Sequence, residues 1–117
     1  MSKVLVIGGG AAGMMAAYAA GMVGHKVTLL EQNEKLGKKI YITGKGRCNF
    51  TNASSLDEIM RQVVHNPKFL YSAFYTFSND AVMDFFENEG MPYKVERGNR
   101  VFPVSDHSSD VIRTLER

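Results

Sequence analysis

With a single cysteine, Cys48, among its 117 residues, the chain cannot form an intrachain disulfide, which fits a reducing, cytoplasmic compartment. It also lacks an excess of either charge. Lys and Arg number 14 against 12 Asp and Glu, a formal net charge of +2 with no long basic run, so nucleic-acid binding has no electrostatic support. No part reads as a linker, and the length allows one compact core but hardly two. His25, His65 and His107 stand too far apart to form a metal site and read as surface or satisfied side chains. The stretch from Val4 to Gly24 carries no charged side chain, follows a short basic start and contains Ala17-Tyr-Ala19, so it superficially resembles a signal peptide. Three consecutive glycines would break any such helix, and Ala and Gly supply little hydrophobic drive, so neither a secretory nor a membrane role is expected. Without a secretory route, the glycosylation patterns at Asn49-Phe-Thr51 and Asn52-Ala-Ser54 are accidental.

What is present is concentrated at the start. Lys3-Val-Leu-Val-Ile-Gly-Gly-Gly-Ala-Ala-Gly13, closed by Gly24-His-Lys-Val-Thr-Leu-Leu-Glu31, reads as strand, glycine turn, helix, second strand and acidic terminus. The spacing Gly8-x-Gly10-x-x-Gly13 allows a tight turn off the first strand, close approach of a pyrophosphate and close packing of helix on sheet. A helix opening at this turn aims its unpaired N–H groups and positive dipole end at the phosphates. Glu31 stands where a carboxylate can accept both ribose hydroxyls. Val4–Ile7 and Val27–Leu30 are continuous apolar runs, as expected of strands buried on both faces. Gly13, Ala16, Ala17, Ala20 and Gly21 put small side chains on one helical face.

Beyond Glu31, the segment from Glu34 to Asn49 offers a short helical piece and then a glycine-punctuated basic loop. Gly44 and Gly46 allow close backbone approach, while Lys39, Lys45 and Arg47 bring positive charge suited to an anion. A P-loop is excluded, because Gly44-Lys45-Gly46 has neither the leading glycine nor the hydroxyl that motif needs. On composition alone a solvated basic turn is the default reading.

These motifs, together with Leu36-Gly-Lys-Lys39, Thr43-Gly-Lys-Gly-Arg-Cys-Asn49 continuing to Asn52, and Arg100-Val-Phe-Pro-Val-Ser105, resemble the YhiN/BaiN-like, or aminoacetone-oxidase-like, FAD-dependent oxidoreductases over the whole chain. The glycine turn is shared by many flavoproteins, whereas the Thr43 to Asn49 loop is a narrow signature. The resemblance implies FAD, with Gly8, Gly10, Ala11, Ala12 and Gly13 at the pyrophosphate, Glu31 at the adenosine ribose and Lys38 or Lys39 near the phosphates. It also implies that Thr43, Gly44, Arg47, Cys48 and Asn49 reach toward the flavin. FAD rather than NAD follows from the resemblance alone, since the glycine fingerprint serves both.

The remaining chain reads as mainly helical. Ser55-x-x-Glu58 is a capping box ahead of an apolar face of Leu56, Ile59, Met60, Val63 and Val64. A second helix after Pro67 carries Leu70, Ala73, Phe74 and Phe77; a third from Ser78 turns Val82, Phe85 and Phe86 inward and stops at Gly90. Tyr93–Arg97 and Arg100–Val104 flank Gly98-Asn99 as a hairpin, and Ser108 or Ser109 with Asp110 caps a last helix. The expected fold is therefore α/β: an incomplete Rossmann-like βαβ unit with its cofactor loop over 1–52, and a helical extension with a hairpin over 53–117, together the N-terminal part of one FAD-binding domain. Only two parallel strands are evident, and the chain stops inside a helix, as a piece of a several-fold longer enzyme would.

Two readings follow. In the first, the chain is the FAD-binding portion of an oxidoreductase that moves a hydride between a small organic substrate and FAD, with NAD(P)H or that substrate meeting the longer enzyme and no nucleic acid or membrane as partner. In the second, it is a non-catalytic fragment or module that pairs its open sheet edge with another copy. A third, weaker idea is an NAD(P)-binding module. No residue is nominated as acid or base. Arg47 would favour a Cys48 thiolate, but a lone cysteine is more often structural.

Overall fold

Strands β1 (Lys3–Ile7) and β2 (Lys26–Leu30) lie parallel, Lys3 opposite Lys26 and Ile7 opposite Leu30, joined by helix α1 (Ala11–Met22). The structure is a computed structural model that describes residues 1–116, the Thr43 side chain and the burial of Thr43 and Gly44 lying outside what is described. Parallel strands need a crossover, and α1 supplies it. Gly8 leaves β1 with φ of +102°, a conformation that side-chain-bearing residues rarely adopt. Its N–H donates to the Leu30 carbonyl at 2.7 Å, extending the ladder one step past the strand.

Two compact units emerge, one of Met1–Cys48 together with the segment from His107 onward, the other of Asn49–Asp106. In the first, short helix α2 (Lys38–Ile42) runs into a 3-10 turn at Thr43–Gly46, so the expected basic loop is largely helical. The last helix of the chain, Ser108–Glu116, belongs to this unit and packs on α1 and α2. Of the two serines expected to cap that helix, Ser108 lies inside it and donates its hydroxyl to the Tyr41 carbonyl at 2.7 Å. The apolar core comprises Met14 with Val111 and Leu115.

The two strands are not buried on both faces. Along each the pattern alternates, and Leu5, Ile7 and Leu30 are 59%, 74% and 50% exposed. Helix α1 covers one face, and among the described residues nothing covers these side chains. On α1 itself Gly13, Ala17 and Ala20 are partly covered, whereas Ala16 and Gly21 are exposed. The small-residue face is thus narrower than the sequence pattern, because a sheet of two strands meets only a stripe of the helix.

The second unit is built on an antiparallel sheet of β3 (Thr51–Asn52), β4 (Tyr93–Glu96) and β5 (Arg100–Pro103), with β5 central. The hairpin around Gly98-Asn99 forms as the sequence indicates, while β3 is a strand that its two residues do not announce. Helix α3 (Leu56–Arg61) is capped by the Ser55 hydroxyl, which accepts the Glu58 N–H at 3.3 Å. It ends at Arg61, so Val63 and Val64 fall outside it and Val64 is 85% exposed, ahead of a left-handed Asn66 with φ of +50° before Pro67. A 3-10 turn at Pro67–Leu70 leads into α4 (Tyr71–Thr76). Helix α5 (Asn79–Asn88) is capped by Ser78, whose hydroxyl accepts the Ala81 N–H at 3.1 Å. The last helix, Ser108–Glu116, is therefore α6. The core of this unit is Val101, Phe102 and Pro103 against Met83, Phe86 and Met91, and the rings of Phe50 and Phe86 stand 4.8 Å apart. Asn79, also buried, donates through Nδ2 to the carbonyls of Asn52 at 2.7 Å and Ser54 at 2.8 Å, tying α5 to the segment after β3.

Candidate functional site

The glycine turn between β1 and α1 has a different physical demand at each position. A Cβ on Gly13 would lie 1.8 Å from the Gly8 carbonyl oxygen, so the helix approaches the strand end as closely as backbone allows. A Cβ on Gly10 would meet no protein atom within 4 Å. Protein packing therefore leaves Gly10 free, and the space above it is open to a ligand. Gly10 is the N-cap of α1; it offers no capping side chain, and the first turn holds no acid to offset the dipole. The first N–H drawn into the helix is that of Met14, which donates to the Gly10 carbonyl at 2.9 Å. The preceding N–H groups, including those of Ala11 and Ala12, lie outside the helical ladder and face the helix N-terminal end, the arrangement that suits a phosphate. The residues present thus fit a pyrophosphate.

Glu31, just beyond β2, is partly buried and tied to that turn. Its Oε1 accepts the Gly9 N–H at 2.8 Å and its Oε2 accepts the Asn33 N–H at 2.8 Å. These bonds, that from Asn33 first and that from Gly9 next, hold the Glu31 carboxyl below the ordinary range despite some desolvation. The Gly9 carbonyl in turn accepts the Gly37 N–H at 2.8 Å. Gly9 is buried, and a Cβ there would stand 2.3 Å from Leu36 Cδ2. Sequence reasoning left Gly9 out as the unconstrained position of the pattern. The signal was a glycine at the free middle position of Gly8-x-Gly10, followed later by an isolated Leu36-Gly37 ahead of α2.

The other expected residues spread more widely. Lys38 and Lys39 open α2 and are exposed. Lys38 lines a cleft with Asn33, Leu36, Tyr41 and Ile112 that includes neither Glu31 nor the glycine turn. Thr43 and Gly44 fall in the 3-10 turn, and the Thr43 side chain lies outside what is described. Arg47 is half-buried. Cys48 is buried and left-handed, with φ of +60°, and burial pushes its thiol up to about 11. Desolvation of the charged form thus disfavours the thiolate that an adjacent Arg47 would otherwise favour. Asn49 opens the second unit, where its amide nitrogen is placed to donate to the carbonyls of Thr51 at 2.8 Å and Val101 at 3.2 Å.

A parallel βαβ unit with a glycine turn, an uncompensated helix N-terminus and an acid beyond the second strand defines a Rossmann dinucleotide-binding protein. Its sequence places it more narrowly. Residues 2–117 match the HI0933-like protein Rossmann domain, and the chain belongs to that family. It is 36% identical over 120 residues to a 3-dehydro-bile acid delta(4,6)-reductase of Clostridium scindens, covering 99% of this chain and 28% of that protein. It is 35% identical to a ribosomal RNA dihydrouridine synthase of Escherichia coli, covering 95% of this chain and 27% of the relative. A cinnamate reductase of Clostridium sporogenes matches over 40 residues at 58% identity, covering 34% of this chain and 6% of that protein. The chain thus spans under a third of the length of the curated relatives it matches. Among the described residues no helix is long and apolar enough to cross a membrane.

Proposed function

We propose that this chain is the FAD-binding portion of a cytoplasmic flavin-dependent oxidoreductase in which a hydride passes between a small organic substrate, or NAD(P)H, and the flavin. The observation that carries the reading is the open space over Gly10 at an uncompensated helix N-terminus, next to a carboxylate beyond β2. Reductases among the relatives support the redox class. In this reading the N–H groups from Gly10 to Gly13 bind the pyrophosphate, the free lone pairs of Glu31 accept the adenosine ribose hydroxyls, and Lys38 or Lys39 neutralises phosphate charge. The two units are parts of one FAD-binding domain, and the segment from Thr43 to Asn49 orients the flavin edge. FAD, when bound, supplies the hydride chemistry.

The test is a visible absorption spectrum of the purified protein after FAD is added and excess removed. A retained flavin band is expected; a folded protein that retains nicotinamide dinucleotide but no flavin overturns the choice of FAD. A second reading, a dinucleotide-binding module without chemistry that associates through its sheet, is favoured by the exposure of Leu5, Ile7 and Leu30 on one face. It predicts a concentration-dependent dimer by sedimentation.

A further inference from the structure

We propose that Glu31 is a positioning residue that holds the glycine turn in its phosphate-receiving shape before any ligand arrives, through a clasp made with Gly9, Asn33 and Gly37. The inference rests on the dinucleotide reading above and adds to it a role for Glu31 that does not depend on a ribose. Both polar backbone atoms of Gly9 are engaged at 2.8 Å, its N–H by the Glu31 carboxylate and its carbonyl by the Gly37 N–H. Gly9 lies between Gly8 and Gly10, so fixing its peptide groups fixes the direction of the turn that leads into α1.

The clasp is braced on its far side. Gly37 is buried with φ of +72°, and a Cβ there would stand 2.8 Å from Ile112 Cγ1 of α6. Leu36 fills the space where a Gly9 side chain would sit. The Leu36-Gly37 end of the segment from Glu31 is therefore stopped by Gly9 on one side and by Ile112 on the other. A second bond, from the Asn33 N–H to Glu31 Oε2 at 2.8 Å, sets the carboxylate plane. An ionised carboxylate offers about four acceptor sites, so the two used here leave others for a ribose. Holding the turn and binding the ribose are compatible tasks for one side chain. A turn held in advance saves the ordering cost that a ligand would otherwise meet.

The experiment compares ADP with 2′,3′-dideoxy-ADP, which carries the pyrophosphate but no ribose diol, on the unmodified protein and on Glu31→Gln. Glutamine still offers a polar group to ribose hydroxyls, but its amide nitrogen cannot accept an N–H, so one arm of the clasp opens. The expected result is a loss of about five-fold or more in affinity for the dideoxy ligand, the size of effect that lost pre-organisation produces. Amide hydrogen exchange at Gly9 and Asn33 should also quicken in the ligand-free variant. Unchanged dideoxy-ADP affinity with weakened ADP binding would overturn the proposal and leave Glu31 a ribose ligand only. Should Glu31→Gln fail to fold, Glu31→Asp keeps the charge and shortens the reach, and the same loss is expected. If neither nucleotide binds the unmodified protein, the dinucleotide reading falls, while unchanged exchange at Gly9 in the variant would separately refute the clasp.

Discussion

Replacing Gly13 and Gly10 by alanine, one at a time, separates what the glycine turn does for the fold from what it does for a ligand. In Gly13→Ala the new methyl would sit 1.8 Å from the Gly8 carbonyl oxygen and 2.9 Å from its carbon. Real Cβ atoms essentially never approach closer than 3.0 Å, so α1 and the end of β1 must part by about 1 Å. Neither neighbour is a flexible side-chain tip that can swing aside. Overpacking against backbone costs about 3 kcal/mol, and alanine returns about 1 kcal/mol through its better helix propensity. A net loss of about 2 kcal/mol is expected, which moves a urea midpoint down by roughly 1 M at an ordinary denaturant slope.

Gly10→Ala should behave in the opposite way. Its methyl enters space with no protein atom within 4 Å, and φ of −84° with ψ of −166° suits any residue. Stability should fall by less than about 1 kcal/mol, the modest cost of alanine at an N-cap, while nucleotide affinity drops because the methyl occupies the ligand's side of the turn. Equilibrium unfolding of both variants, paired with titration by ADP, checks both halves at once. A Gly10→Ala protein that unfolds, or a Gly13→Ala protein with an unchanged midpoint, would refute this division of labour.

Gly9→Ala should cost about 1 to 2 kcal/mol, because Leu36 Cδ2 stands 2.3 Å from the new methyl but can yield; a double-mutant cycle with Leu36→Ala should show the two changes coupled, and simple additivity would disprove the contact. Asn79→Ala removes the Nδ2 that serves two carbonyls and should destabilise the protein by about 2 to 3 kcal/mol in thermal or urea unfolding. Cys48, with its folded value raised to about 11 from 9.0, makes folding favour the protonated thiol. Its contribution is intact below pH 9.0 and lost as pH rises toward 11, so stability should decline across that window by up to about 2 to 3 kcal/mol, and Cys48→Ala should flatten the decline. The folded thiol should also resist alkylation at neutral pH until the protein is unfolded. For Glu31 the sign is the reverse, since its carboxyl is lowered: its contribution is present above the unfolded value and lost as pH falls through the folded one. Glu31→Gln should remove that acid-side dependence from a pH series of unfolding midpoints.

The features legible in the sequence share one property, that a few adjacent residues decide them. A glycine with positive φ at position 8, a serine three residues ahead of a bonded N–H at Ser78, and Gly98-Asn99 between extended runs each act within one turn of chain. What stayed hidden depends on partners far along the chain. Ser108 looked like one of two possible caps because serine caps helices, but its hydroxyl reaches Tyr41, 67 residues earlier in the sequence. Gly9 looked unconstrained because the spacing rule concerns a phosphate, whereas its real neighbours are Leu36, Glu31 and Leu29. Cys48 read as a structural cysteine despite the adjacent Arg47, and its titration answers to burial, the measure of which sequence adjacency does not report. The strands misled in an instructive direction. Apolar runs through Val4–Ile7 and Val27–Leu30 specify cover on both faces, and α1 covers one, leaving Leu5, Ile7 and Leu30 in water. A sequence written for a two-sided sheet and a structure that covers one side would be reconciled by another apolar surface against these side chains. If so, that surface should protect the backbone amides of β1 and β2 from exchange more strongly than the covered face of this chain alone accounts for.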